Sequence, residues 1–431
     1  MVIGSIIRNR RAAASTVAAV VVLLVLSLLL SSCSPAASKV FADDLMQGIE
    51  PAGVEGKVAD QVFITQMADF AVKILKGSLD DAVNTMVSPL SVMLALSMTA
   101  NGAVGQTLGE METLLGGDIA ITELNKYLYT YAKGLPSSDS AKLRIANSIW
   151  FRKDEGRFIA EKDFLQTNAD YYMADAFKGD FDDQTLQDIN NWVDDNTDGM
   201  IDKILDEIKD DTVMYLINAI VMDAKWETVY NKNNIFAADF HAANGSVQDA
   251  QLMQSEEYKY IKGSGATGFI KPYAGGSYSF AAILPDEENG LEKLVADLNG
   301  ERFLELLDNA TDDTVTAYLP KFTYDYKIKM NDMLKELGMK DAFDASKADL
   351  SKLGKSSRGN LYVGEVLHKT FISVDELGTK AGAVTKVEVN DESYTETKIV
   401  RLDRPFLYAI IDNATGLPVF LGTVISMAQE G

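Results

Sequence analysis

Residues able to do chemistry are few in this chain and poorly arranged for it. Gly263-Ser264-Gly265-Ala266-Thr267-Gly268 satisfies the Gly-x-Gly-x-x-Gly spacing that lets a backbone approach a pyrophosphate. That chemistry also needs a helix opening at the last glycine, and Phe269-Ile270-Lys271-Pro272 follows, where the proline forbids one. A flexible hairpin is expected instead. Asp194, Asn196, Asp198 and Gly199 begin like a calcium loop, but Leu205 stands at the twelfth position, where a bidentate carboxylate belongs. A solvated helix end is expected there, and no metal site. The chain has one Cys, Cys33, and two His, His241 and His368. An internal disulfide is therefore impossible and a Cys/His zinc site nearly so. His368 sits among apolar residues with no nucleophile motif nearby, so it reads as a hydrogen-bonded core histidine rather than a base. No catalytic residue and no cofactor are expected.

One segment carries a mechanical pattern instead. Gly378 to Asn390 alternates Thr379, Ala381, Ala383, Thr385, Val387 and Val389 on one face with Lys380, Gly382, Val384, Lys386, Glu388 and Asn390 on the other. This is the period of a half-buried strand, with small residues first on the buried face. No proline interrupts these residues, so each can offer its N–H to a sheet. A strand of this length would run about 43 Å. It leads into Asp391 to Thr397, a polar stretch of the kind proteases reach easily.

Around this segment the chain mixes helical and strand patterns. Helical spacing marks Ala59 to Leu75, Pro89 to Thr99 with Ser88 as N-cap, Ile189 to Val193 and Asn331 to Leu337. Strand patterns mark Thr212–Met222, Ser279–Leu284, Thr314–Tyr318, Lys369–Val374, Phe406–Ile411 and Pro418–Ile425. No βαβ unit repeats, so the fold class expected is α+β. No linker divides residues 60–431, which are expected to form one domain.

Asp and Glu number 63 against 40 Lys and Arg, a net charge of −23. That field repels phosphate backbones and argues against a nucleic-acid partner. Arg8, Arg10 and Arg11 precede an apolar run from Val17 to Leu30, which would make a helix of about 21 Å, short of the roughly 30 Å hydrocarbon core. The run fits an export signal over residues 1–32. Leu30-Ser31-Ser32-Cys33 resembles the lipobox of bacterial lipoproteins, which implies lipid attachment at Cys33 and a place in the bacterial cell envelope, facing the exterior or periplasm. Simple secretion is the alternative. Residues 33–59 read as a tether.

From about Val62 onward the sequence resembles the serpin family. The resemblance rests on Asn84-Thr85-Met86-Val87-Ser88-Pro89-Leu90-Ser91-Val92, on Gly102-Ala103 and Gly105-Gln106-Thr107, and on Leu216-Ile217-Asn218 with Lys225-Trp226. It continues in Leu319-Pro320-Lys321-Phe322, Leu334 to Met339, His368-Lys369, Asp375-Glu376-Leu377-Gly378-Thr379, Arg404-Pro405-Phe406 and Gly416 to Gly422. The resemblance implies the serpin fold, with a mixed central sheet, further sheets, surrounding helices and an exposed reactive loop. It implies a monomeric inhibitor of serine proteases, or of a cysteine protease, whose loop is cut and then inserts into the sheet. It assigns the hinge to Glu376, Gly378, Thr379, Ala381, Ala383 and Thr385, and the shutter to Ser88, Ser91, Asn218 and His368. The breach falls on Trp226, Lys321 and Glu376. The family's usual spacing puts the scissile bond between Glu392 and Ser393, with Asn390, Asp391 and Tyr394 left open by loop length. Lys380 and Gly382 depart from the family's usual Glu and Ala, both on the outward face. Few basic residues lie between Glu110 and Lys133, so activation by a heparin-like polyanion is not expected. The alternative function is that of a non-inhibitory serpin-fold binding or carrier lipoprotein.

Overall fold

Long apolar strands that must each bury a face, with helices too short to cover them singly, lead to stacked sheets with helices packed around them. The computed structural model describes residues 40–153, 158–210, 212–357, 360–379 and 398–428. Among these, the largest sheet has seven strands in the order Asp43–Asp44, Asp175–Gly179, Ala141–Arg152, Met214–Lys225, Gly378–Thr379, Glu365–Val374, Phe322–Lys329. Neighbours run both parallel and antiparallel, so the sheet is mixed. A six-stranded antiparallel sheet takes Thr85–Val87, Pro418–Val424, Phe406–Asp412, Tyr278–Pro285, Ala266–Pro272 and Tyr260–Gly263 in that order. A four-stranded sheet runs Lys398–Arg401, Val315–Pro320, Val247–Glu257, Ile235–His241.

Alternation along Met214–Lys225 divides the core in two. Leu216, Ile220, Met222 and Ala224 join the main core with the six-stranded sheet, while Tyr215, Ile217, Ala219 and Val221 join a second cluster. Helix Asp183–Asn196 closes that second cluster with Ile189, Trp192 and Val193. Helix Pro89–Ala100 is buried along its whole length, as an apolar helix without a polar face must be. Ser88 caps it, its Oγ accepting from the Ser91 N–H at 3.4 Å, and Pro89 takes the first turn, where its missing N–H is not needed.

Residues 263–268 form the hairpin between Tyr260–Gly263 and Ala266–Pro272, with Ser264 and Gly265 at positive φ. Asp194 to Gly199 is a helix end, where the Gly199 N–H bonds back to the Asp194 carbonyl. The structure departs from the expected tether at residues 40–59. Asp43–Asp44 extends the large sheet by pairing with Phe177 and Lys178, and the Phe41 and Ala42 N–H groups donate to the Asp188 carboxylate at 2.9 and 2.7 Å. Ala52 N–H reaches Asp170, and Gln166 reaches the Glu50 carbonyl. Backbone groups make most of these contacts, so the weak side-chain pattern gave no sign of them.

Candidate functional site: a seam in the central sheet

The strands Met214–Lys225 and Glu365–Val374 are parallel neighbours, but their pairing covers only part of their length. Residues 215–219 face 365–369, and above that the two strands have no mutual ladder. At the top, Gly378–Thr379 lies between them, antiparallel to both: Gly378 faces Lys225, and Thr379 faces Ala224 on one side and Val374 on the other. Among the described residues the seam is thus closed below, parted above, and occupied at its mouth by the first two residues of the alternating segment.

The turn that feeds the wedge is built locally. The Asp375 carboxylate accepts from the Leu377 and Gly378 N–H groups, and the Asp375 N–H donates to the Gly378 carbonyl. A Cβ on residue 378 would stand 2.0 Å from the Ala224 carbonyl oxygen, so only glycine fits the approach. Trp226, just past the end of its strand, fastens the turn twice, from Nε1 to the Asp375 carbonyl and from its backbone N–H to the Leu377 carbonyl, both 2.9 Å. Tyr230 N–H donates to the Glu376 carbonyl at 3.0 Å. Lys321 Nζ meets Glu376 Oε2 at 2.5 Å, and that hydrogen bond holds the Glu376 carboxyl below its ordinary range. Thr379 is 2 % exposed, and its hydroxyl shares a 2.6 Å hydrogen bond with Tyr273. The Tyr273 ring in turn stacks on Trp226 with centroids 4.5 Å apart.

The lower seam is locked by a buried polar network. Ser88 N–H donates to His368 Nε2 at 3.0 Å, which leaves the imidazole proton on Nδ1, facing Asn218 Oδ1 at 2.9 Å. Asn218 Nδ2 donates to the Ser91 carbonyl at 2.7 Å and to Asn147 Oδ1 at 2.6 Å. Burial pushes the His368 pKa down to about 3, so the ring is neutral.

Ser88, Ser91, Asn218 and His368 are therefore brought together, as are Trp226, Lys321 and Glu376, with Gly378 and Thr379 beside them. Ala381, Ala383, Thr385, Glu392, Ser393 and Cys33 lie outside the described residues. Sequence reasoning missed Asn147 and Tyr273, and it missed a buried ion pair behind Trp226. There Lys271 Nζ lies 2.7 Å from Glu257 Oε1 and 5.5 Å from the Trp226 ring centre, and Ser255 Oγ donates to the same carboxylate. A lysine inside the otherwise apolar Phe269-Ile270-Lys271 run was the one available signal for it.

A family model described as serpin (serine protease inhibitor) matches residues 65–427. The chain is 31% identical over 352 residues to an uncharacterized serpin-like protein of Thermococcus kodakarensis, covering 80% of each. Among solved structures it is similar to tengpin, a thermophilic serpin, in its native state, with 55% identity, a TM-score of 0.87, and 89% of this chain and 99% of that one covered. Tengpin in its latent state matches with the same 55% identity and a TM-score of 0.78, over 86% of this chain and 100% of the other.

Proposed function

This chain belongs to the serpin family, and on that premise we propose that it inhibits a serine protease, or a cysteine protease, as a suicide substrate. The observation that carries the reading is the wedge: Gly378–Thr379 already stands between the two central strands, with Thr379 facing the core. The parity expected for insertion follows, because Ala381, Ala383 and Thr385 share the face of Thr379.

In the proposed mechanism the protease nucleophile attacks the carbonyl of the scissile residue, Glu392 by the family's spacing. The bond to Ser393 breaks, and an acyl-enzyme remains on the new end. The freed segment then continues into the seam. Thr379 faces Ala224 and Val374, so each further residue steps one place back along both strands. Ala381 would face Met222 and Ile372, and Ala383 would face Ile220 and Thr370, all buried positions where a small side chain enters with little strain. Six steps beyond Thr379, Thr385 would face Asn218 and His368, the same level by both registers. Insertion to Ala383 displaces no ladder between the described strands, whereas Val384 and beyond must part the 215–219 and 365–369 pairing and the His368–Asn218 bond. Lys380 would lie opposite Asp223, an acid that suits this chain's departure from the family's glutamate.

Most members of the family are protease inhibitors rather than catalysts in the usual sense. Incubating residues 40–431 with a panel of serine and cysteine proteases should give a complex that survives denaturing gels, and release of residues 393–431, a fragment of 39 residues. Cleavage in the loop without any trapped complex would remove the inhibitory reading in favour of a binding protein. The location follows from the N-terminus: Cys33 would carry a lipid and hold the inhibitor at a bacterial envelope. Incorporation of labelled fatty acid into the full chain, lost in Cys33→Ala, tests this, and equal labelling of both chains would refute it.

A further inference from the structure

The ladders of the large sheet fix where the described chain enters the body. Asp43 faces Lys178, Lys178 faces Phe151, and Phe151 faces Met214, so Asp43 lies level with the lower end of the seam's first strand. At the mouth of the seam, Ala224 faces Thr379. Ten steps along Met214–Lys225 separate these two levels, about 33 Å. From Asp43 the chain climbs toward the mouth: the Leu45 N–H donates to the Ala176 carbonyl, and Ala176 faces Ile149, which faces Leu216. Residues 40–42 therefore sit at the lower end, where Asp188 on helix Asp183–Asn196 holds the Phe41 and Ala42 N–H groups. The described chain thus begins at the end of the sheet opposite the mouth. Residues 34–39 link Cys33 to Val40, and a chain of that length reaches about 25 Å when fully extended.

We propose that this lower end faces a lipid bilayer, so that the anchored chain holds the mouth of its seam outward, toward proteases arriving from solution. The proposal rests on the reading of Cys33 as the lipid-bearing residue. Reach carries the argument. Turning the body over, mouth to the membrane, would lift Val40 at least about 33 Å from the surface. That exceeds the roughly 25 Å that links it to the lipid. The upright body needs no such extension. Charge disfavours lying flat, because a chain of net charge −23 is repelled by an anionic bilayer and an upright body brings the least of its surface near it. Docking of residues 40–59 is what makes the link short. Were they a free tether, the lipid would stand up to about 90 Å from the first long helix and would set no orientation.

The test measures energy transfer from the body to the membrane. In the lipidated full chain Cys33 is blocked, so one added cysteine can be labelled alone. Asp180→Cys lies just past Gly179 at the lower end, and Asp139→Cys lies beside Ala141 at the mouth; both positions are exposed. Each variant carries a donor dye and is placed in vesicles of phosphatidylethanolamine and phosphatidylglycerol with an acceptor on the headgroups. Transfer should be at least threefold more efficient from position 180 than from position 139. Inserting about twenty Gly and Ser residues between Lys39 and Val40 should bring that ratio close to one. Equal transfer in the parent chain, stronger transfer from position 139, or a ratio that the longer link leaves unchanged would overturn the proposal. Any protease that cuts the free chain between residues 389 and 397 should cut the vesicle-held chain within about twofold of that rate, and a tenfold slower cut would overturn it as well. A lipidated chain with equal transfer removes the orientation alone. A full chain whose Cys33 takes up no fatty acid removes the lipid reading and the orientation with it.

Discussion

His368 is buried with its Nε2 lone pair taken by the Ser88 N–H and its Nδ1 proton directed at Asn218, so the neutral ring is satisfied and a charged ring would not be. Its pKa is lowered to about 3 in the folded state, against about 6.5 in an unfolded chain. The unfolded chain therefore takes up a proton here that the folded one refuses. Stability from this group is complete above about pH 6.5 and declines as pH falls from there toward 3. Between pH 7 and pH 5 the loss should be about 2 kcal/mol, seen as a falling unfolding midpoint in urea, and His368→Asn should flatten that slope. An equally steep slope in the variant would show that the imidazole is not the group responsible. The residues of this lock were legible in the sequence because family resemblance named them. Their hydrogen-bond directions were not, since Ser88 and His368 are 280 residues apart and meet only through the fold. Asn147 carried no local signal at all; its partner Asn218 lies on the neighbouring strand.

At the scale of elements, strands with a continuous apolar run were readable to within a few residues, as in Phe406–Asp412 and Pro418–Val424. Ala141–Arg152, at the middle of the large sheet, escaped because Lys142, Arg144, Asn147 and Ser148 interrupt its pattern, although its neighbours bury most of its second half. Asp43–Asp44 is too short for any periodicity to reveal, whereas Gly378–Thr379 opens the alternating segment that the sequence showed. Lys271 and Glu257 show how elements are joined behind the seam: one lies on the six-stranded sheet, the other on the four-stranded sheet, and both are buried. Removing one partner strands a charge in the core, so Lys271→Met should destabilise by about 3–5 kcal/mol. Lys271→Met with Glu257→Leu should recover most of that loss, because a well-packed apolar pair is about as stable as a buried ion pair. Thermal melts of the three chains check this, and a double variant no better than the single would mean the pair is not coupled.

For the whole molecule, the described residues of the large sheet include a seam whose upper end holds Gly378–Thr379. Fold class was legible because helical and strand patterns alternate without a break. The docked residues 40–59 were not, because they bind through backbone groups and through apolar side chains too scattered to show a period. Among the described residues no strand stands between 220–223 and 370–373, and under the proposed mechanism cutting the loop lets the freed segment add one there. Lys380 to Glu388 would then gain backbone hydrogen bonds on both sides, each worth about 1 kcal/mol net. The measurement that tests this most directly is the melting temperature before and after a single cut between residues 389 and 397. Cleavage should raise the melting temperature by at least about 10 °C. A cleaved chain that melts at the same temperature as the intact one, or below it, would contradict insertion and the inhibitory mechanism with it.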